Sequence, residues 1–149
     1  MTRPRLLVQK YGGTSVSSAA RIRRIAQRIA AQSREGARVV AVVSAMGDTT
    51  DRLVALAASV SRSPQEREMD TLLSTGEAIT APLLAMALHA EGIPALSLSG
   101  AQAGIRTTRS HTRARIVDIV PTRIQEELDA GNAVVVAGFQ GINERLDVT

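Results

Sequence analysis

Cysteine and tryptophan are absent from the 149 residues, and aromatic side chains are reduced to Tyr11 and Phe139. Without cysteine there is no disulfide framework and no thiolate chemistry, a usage that suits a reducing, cytoplasmic setting. Without aromatic mass the core has to be built from Ala, Val, Leu and Ile, and the stacking platforms wanted for single-stranded nucleic acid are missing. Lysine is nearly absent too: of 18 basic side chains, Lys10 is the only lysine and the rest are arginines. The chain opens without a long apolar run. Leu6-Leu7-Val8, after Met1-Thr2-Arg3-Pro4-Arg5, is too short for a signal-peptide core and far too short for a membrane span, so no membrane partner is expected.

What is present describes a folded domain. Apolar residues make up 44% of the sequence, which excludes disorder by composition. A chain of this length buries roughly 68–70% of its unfolded surface, enough for one core and a single domain over 1–149. The net charge is +4, and the densest basic cluster is Arg21, Arg23, Arg24 and Arg28. On a helix these flank an apolar stripe of Ile22, Ile25, Ala26 and Ile29, so they face water and do not form a nucleic-acid footprint.

Strand and helix patterns alternate. Residues 6–11 read as a strand ending at a glycine pair, and 17–34 as an amphipathic helix stopped by Gly36. Residues 37–44 are a β-branched run expected of a strand covered on both faces, and 49–61 a second helix. Ser74 and Glu77 have capping-box spacing, which predicts a helix beginning there. Its body, 78–90, is apolar nearly all round, as in a buried helix; Pro82 marks either a kink or a later start. Residues 95–99 read as a strand, 106–115 have no clear pattern, and 116–120 read as a short strand. Pro121 opens a helix at its first position, and 133–137 form a valine-rich strand. This order predicts an α/β fold, a three-layer αβα sandwich around a mainly parallel sheet.

In such sheets ligands sit beyond the carboxyl ends of the strands, and every glycine-rich element here follows a strand. The segments 10–15, 44–47, 99–104 and 138–141 should therefore meet at one crevice. Gly12 and Gly13 let backbone N–H groups approach an anion, and Lys10 would set its ammonium over the same charge. The lysine precedes the glycines, so this is not a Walker A loop. His89 and His111 lack metal-ligand spacing, so no protein metal site is expected.

Lys10-Tyr11-Gly12-Gly13-Thr14-Ser15-Val16 resembles the opening motif of aspartate kinases, in the amino acid kinase superfamily. Further matches follow in order: Val43 to Asp51, Arg67-Glu68-Met69-Asp70, Leu73-Ser74-Thr75-Gly76-Glu77, Ser99 to Gly104, and Val136-Ala137-Gly138-Phe139-Gln140-Gly141. The resemblance implies transfer of the ATP γ-phosphoryl group to the side-chain carboxylate of aspartate, with Mg²⁺ held mostly by phosphate oxygens and water. It implies that Lys10 acts catalytically and, with Gly12, Gly13, Thr14 and Ser15, binds phosphate. It places Ser44, Thr50, Phe139 and Gly141 near the substrate and gives Glu77 the substrate's ammonium group. Glu77 also has the helix-cap reading open to it.

In aspartate kinases a Thr-Leu-Gly-Arg-Gly-Gly-Ser-Asp segment follows the Gly-Phe-x-Gly loop and clamps the substrate carboxylate. Here Asp147-Val148-Thr149 stands where that segment should begin, and 144–149 show no helix stop and no turn. Set against the family, the chain reads as the N-terminal part of a catalytic domain. The rest of the nucleotide-binding half and the ACT regulatory domains are missing. Little or no kinase activity is expected of it alone, and exposed sheet edges are expected to favour oligomerisation or pairing with a complementing C-terminal portion. A non-catalytic phosphate-binding or subunit-interaction module is the alternative.

Overall fold

The alternation of valine runs with amphipathic stripes sorts the chain into a sheet and two covering layers. We describe residues 4–149 of a computed structural model; Met1, Thr2 and Arg3 of the opening segment lie outside the described residues. Four strands, β1 (Leu6–Tyr11), β2 (Arg38–Val43), β3 (Ala95–Leu98) and, late in the chain, β6 (Ala133–Ala137), form a wholly parallel sheet in the order β1-β2-β6-β3. Alternate side chains leave each strand on opposite faces. Val39, Ala41, Val43, Ala133, Val135 and Ala137 accordingly share one core with Ile22, Ile25 and Ile29 of α1 (Ala19–Arg34) and Ala81, Leu84 and Leu88 of α3 (Glu66–Ala90). On the other face Val40, Val134, Val136 and Leu98 pack with Leu128 of α4 (Thr122–Asp129). The three-layer expectation therefore holds, with a single short helix as the third layer.

A separate antiparallel pair, β4 (Ile105–Thr107) and β5 (Ile116–Ile119), occupies the stretch whose pattern was unclear. The remaining helix, α2 (Thr49–Val60), lies against α3 and contributes no buried residue. Pro121 is the cap of α4 rather than its first helical residue.

Two expectations about α3 change, and of the two readings of Pro82 the later helix start falls. The helix expected from Ser74 begins at Glu66 instead, so Ser74 and Glu77 are interior to α3 and form no capping box. Pro82 lies inside the same continuous helix. Nor is α3 buried all round: Thr80, Leu84 and Leu88 are sealed, whereas Ile79, Leu83 and Met86, at i, i+4 and i+7, form an exposed apolar stripe. By length and composition α3 could cross a membrane, yet its opposite face is packed against α1, β3 and β6.

The final segment turns, contrary to its sequence reading. Leu146 N–H donates to the Asn143 carbonyl at 3.0 Å, with Leu146 at φ +66°, and Gly141 and Thr149 exchange backbone hydrogen bonds. Asn143 is buried, and its Oδ1 accepts from the N–H groups of Arg145 and Asp147. A side-chain acceptor for two backbone donors is a local device that hydrophobic periodicity does not reveal.

Candidate active site

A parallel sheet carries all its strand-to-helix connections of one sense to one edge, and here they are stitched together there. Ser44 N–H donates to Tyr11 O at 3.0 Å and Gly47 N–H to Gly13 O at 3.0 Å, joining the loops after β1 and β2. Gly138 N–H reaches Val43 O at 2.8 Å, joining β2 to the loop after β6. Gln140 completes the row. Its Oε1 accepts from Gly100 N–H at 3.3 Å in the loop after β3, and its Nε2 donates to Ser74 O of α3 at 3.1 Å. The four glycine-rich segments thus lie in a linked row at one sheet edge, but of the four only 138–141 lines the cleft there.

The first loop makes a tight turn in which Gly12 O accepts from Ser15 N–H (2.9 Å) and Val16 N–H (3.3 Å). The Gly12, Gly13 and Thr14 N–H groups have no protein acceptor among the described residues. A Cβ at Gly12 would lie 3.7 Å from Lys10 Nζ, and one at Gly13 would meet Ala45 O at 3.0 Å. The glycines thus leave open the space beside the ammonium and let two loops close on each other. Lys10, Thr14 and Ser15 are exposed there. Arg21 is exposed, as expected of a solvated arginine, and also donates from Nη1 to Thr14 O at 2.7 Å, bracing the loop against α1. An unpaired carbonyl two turns away leaves no mark in sequence.

A cleft of about 380 Å³ is lined on α3 by Asp70, Leu73, Ser74 and Glu77 and from the loop after β6 by Gly138, Phe139, Gln140 and Gly141; Lys10, Gly12, Gly13, Thr14 and Ser15 do not line it. Phe139 is 92% exposed and sits at φ +58°. Glu77 is only 5% exposed; its Oε1 accepts from Ala45 N–H at 3.2 Å. Burial pushes its carboxyl above the usual value, against the opposing pull of the backbone N–H groups of Glu77 and Ala45. Of the expected substrate residues, Glu77, Phe139 and Gly141 therefore share the cleft, whereas Ser44, just after β2, and Thr50, in the first turn of α2, do not line it.

The remaining walls come from residues with no assigned role in the sequence reading. Thr107, Thr112, Ala114, Ile116 and Thr149 line the cleft from the β4–β5 hairpin and the final turn. Arg67 anchors that turn, with Nε 2.8 Å from Asp147 Oδ1, and this hydrogen bond holds the Asp147 carboxyl below its usual range. His89 Nε2 lies 2.7 Å from Ala95 O and has a structural job at the end of α3.

Close packing at Gly76 sets how near α3 comes to the Ser44–Gly47 loop. A Cβ there would stand 2.7 Å from Ala45 Cβ. Helix propensity favours alanine over glycine by about 0.8–1.0 kcal/mol, but overpacking costs about 1–3 kcal/mol. Gly76→Ala is therefore expected to lower the urea midpoint, and Ala45→Gly in the same chain to restore most of it. Equal midpoints for the single variant and the parent would show that the loop yields freely.

The fold is α/β, with a glycine loop whose Gly12, Gly13 and Thr14 N–H groups are free among the described residues and a cleft holding a buried carboxylate at one sheet edge, the layout of a kinase of small molecules. The chain belongs to the amino acid kinase family, whose profile matches residues 5–148. Within it the similar proteins are aspartokinases. The aspartokinase of Corynebacterium glutamicum is 55% identical over 97% of this chain, and the match covers 34% of that protein. The crystal structure of aspartate kinase from Synechocystis matches with a TM-score of 0.77 and 47% identity, over 92% of this chain and 22% of that one. Escherichia coli aspartokinase III, solved in complex with aspartate and ADP, shares the fold at a TM-score of 0.82 and 20% identity, over 97% of this chain and 43% of that one. The chain thus spans about a third of the length of the curated relatives it matches.

Proposed function

We propose that this chain forms the phosphate-cradling and amino-group-binding part of an aspartate kinase-type site, at which the γ-phosphoryl group of ATP passes to the side-chain carboxylate of L-aspartate. One observation carries the reading: Ala45 joins the two subsites. Its N–H holds the Glu77 carboxylate, and its carbonyl lies where a Cβ on Gly13 would press. An ammonium group drawn to Glu77 is thereby held at a set distance from an anion at the glycine loop, which is the positioning a two-substrate transfer requires.

The reaction brings two anions together, so cationic and N–H donors must offset the charge on the transferring group. Lys10, with the Gly12, Gly13 and Thr14 N–H groups and Ser15, supplies them. Ser44, after β2, and Thr50, in the first turn of α2, contact substrate from outside the cleft, on the side of the glycine loop. Phe139 and Gly141 form the cleft's amino-acid side. ATP would supply the phosphoryl group, and Mg²⁺ brought with it would offset phosphate charge. The segment that clamps the substrate carboxylate in aspartate kinases has no counterpart among these residues, so the chain alone should turn over little or no ATP, in the cytoplasm or in vitro.

The test is calorimetric titration of MgATP and of L-aspartate, with an ADP-release assay on the same samples. Measurable binding of both with little turnover is expected. Lys10→Ala should weaken MgATP at least about tenfold, taking one charge-assisted contact as about 1.5–3 kcal/mol, and leave stability within about 0.5 kcal/mol because the side chain is exposed. Absence of binding by either ligand would sink the reading, and turnover matching an intact aspartate kinase would sink the claim of inactivity. The exposed Ile79, Leu83 and Met86 stripe favours a second reading, a module that associates with another copy or a complementing subunit; sedimentation of the same samples separates the two.

A further inference from the structure

The loop 108–115 that joins β4 to β5 forms one wall of the cleft through Thr112 and Ala114, and its tip is fastened to the body by a single side chain on α3. Asp70 takes His111 Nδ1 at 2.9 Å on Oδ2, and Thr112 N–H reaches both carboxylate oxygens, at 3.1 and 3.0 Å. A carboxylate only accepts, so His111 carries its proton on Nδ1. The Asp70 side chain is 8% exposed, and a buried carboxylate demands such partners. All of the partners it has among the described residues come from this loop. Thr112 meanwhile holds φ +60°, a left-handed backbone unfavourable to a β-branched residue, and so needs an external constraint. The other tie of the tip, Arg109 with Glu144, is an exposed ion pair at the rim.

Asp70, Leu73, Ser74 and Glu77 follow one another along a single face of α3 and all line the cleft. We propose that Asp70 is a positioning residue for the amino-acid site: through His111 and Thr112 it holds loop 108–115 as a wall of the cleft that Phe139 and Gly141 also line, and so sets the width of the space beside Glu77. This rests on the aspartate reading for the identity of the ligand, but not for the latch itself.

NMR on the full chain tests both parts. In Asp70→Ala the Thr112 amide should exchange at least tenfold faster, and the Phe139 and Gly141 resonances should shift as the wall moves. L-Aspartate, used as the probe, should bind about tenfold more weakly while the urea midpoint of the β6 amides stays in place. Asp70→Asn keeps a carbonyl acceptor for Thr112 and should recover most of the protection and affinity; a purely structural role would not produce that graded rescue at constant stability. If Asp70→Ala does not fold, His111→Ala should show the same changes at smaller amplitude. Unchanged Thr112 exchange overturns the latch, and faster exchange with unmoved Phe139 and Gly141 resonances overturns the positioning role. If the parent chain ignores L-aspartate, the substrate reading fails, and the exchange and resonance shifts still decide the proposal.

Discussion

Glu77→Gln should weaken L-aspartate binding about 10- to 150-fold and at the same time make the folded chain more stable at neutral pH. On the proposed reading the binding loss follows from removing the carboxylate that meets the substrate's ammonium group; a hydrogen bond to a charged group is worth about 1.5–3 kcal/mol. Glutamine keeps an Oε1 acceptor for Ala45 N–H, so the joint between the two subsites survives. The stability gain follows from burial, which raises the Glu77 carboxyl above its ordinary 4.5. An unfolded chain therefore releases this proton at lower pH than the folded one, and folding loses stability as pH rises from about 4.5 through the raised value. Glutamine carries no such penalty. Urea midpoints should separate in favour of the variant at pH 7 and approach each other below the unfolded value. An unaltered aspartate affinity would remove Glu77 from the amino-group role.

Gly100→Ala should cost about 3 kcal/mol, the upper part of the overpacking range, and lower the melting temperature by about 6–12 °C for a chain of this size. Gly100 is buried, and a Cβ there would run into the Gln140 carbonyl oxygen, with the carbonyl carbon at 2.7 Å. Backbone cannot step aside as the end of a flexible side chain can. The displaced strand loop would also lose the 3.3 Å bond from Gly100 N–H to Gln140 Oε1, and with it the link between the loops after β3 and β6. Gly36→Ala is the control. Gly36 has no neighbour within 4 Å of its Cβ position, so only its φ of +87° is penalised, by about 1–2 kcal/mol. Equal losses at the two glycines, measured by thermal unfolding, would show that close approach at Gly100 is not what matters.

Part of the candidate site's geometry was legible because its residues stand in local motifs at strand ends. Lys10, Gly12 and Gly13 stand at a strand end, and Glu77, Phe139 and Gly141 do meet in one cleft. The start of α3 was not legible. Thr71, Ser74 and Thr75 look like residues that end or cap helices, yet their hydroxyls bond back to the carbonyls of Arg67, Thr71 and Leu72 within a continuing helix. Starting the helix near Ser74 separated Asp70 from Glu77, and so concealed that both sit on one wall of the cleft.

The sequence by itself determined the layers, since valine runs and 3.6-residue stripes each permit one way of burying apolar surface, and it determined which loops follow strands. Only the tertiary structure decided the strand order β1-β2-β6-β3, which seats the loop after the last strand between those after β2 and β3. It alone decided that Ile79, Leu83 and Met86 stay exposed although their helix is apolar, and that Asp70, Arg67 and Arg21 act as fasteners. The reason is one of range. Periodicity and capping are written in neighbours a few residues apart, whereas Asp70 finds Thr112 42 residues away and Arg67 finds Asp147 80 away, contacts that exist only once the sheet has brought the loops to one edge.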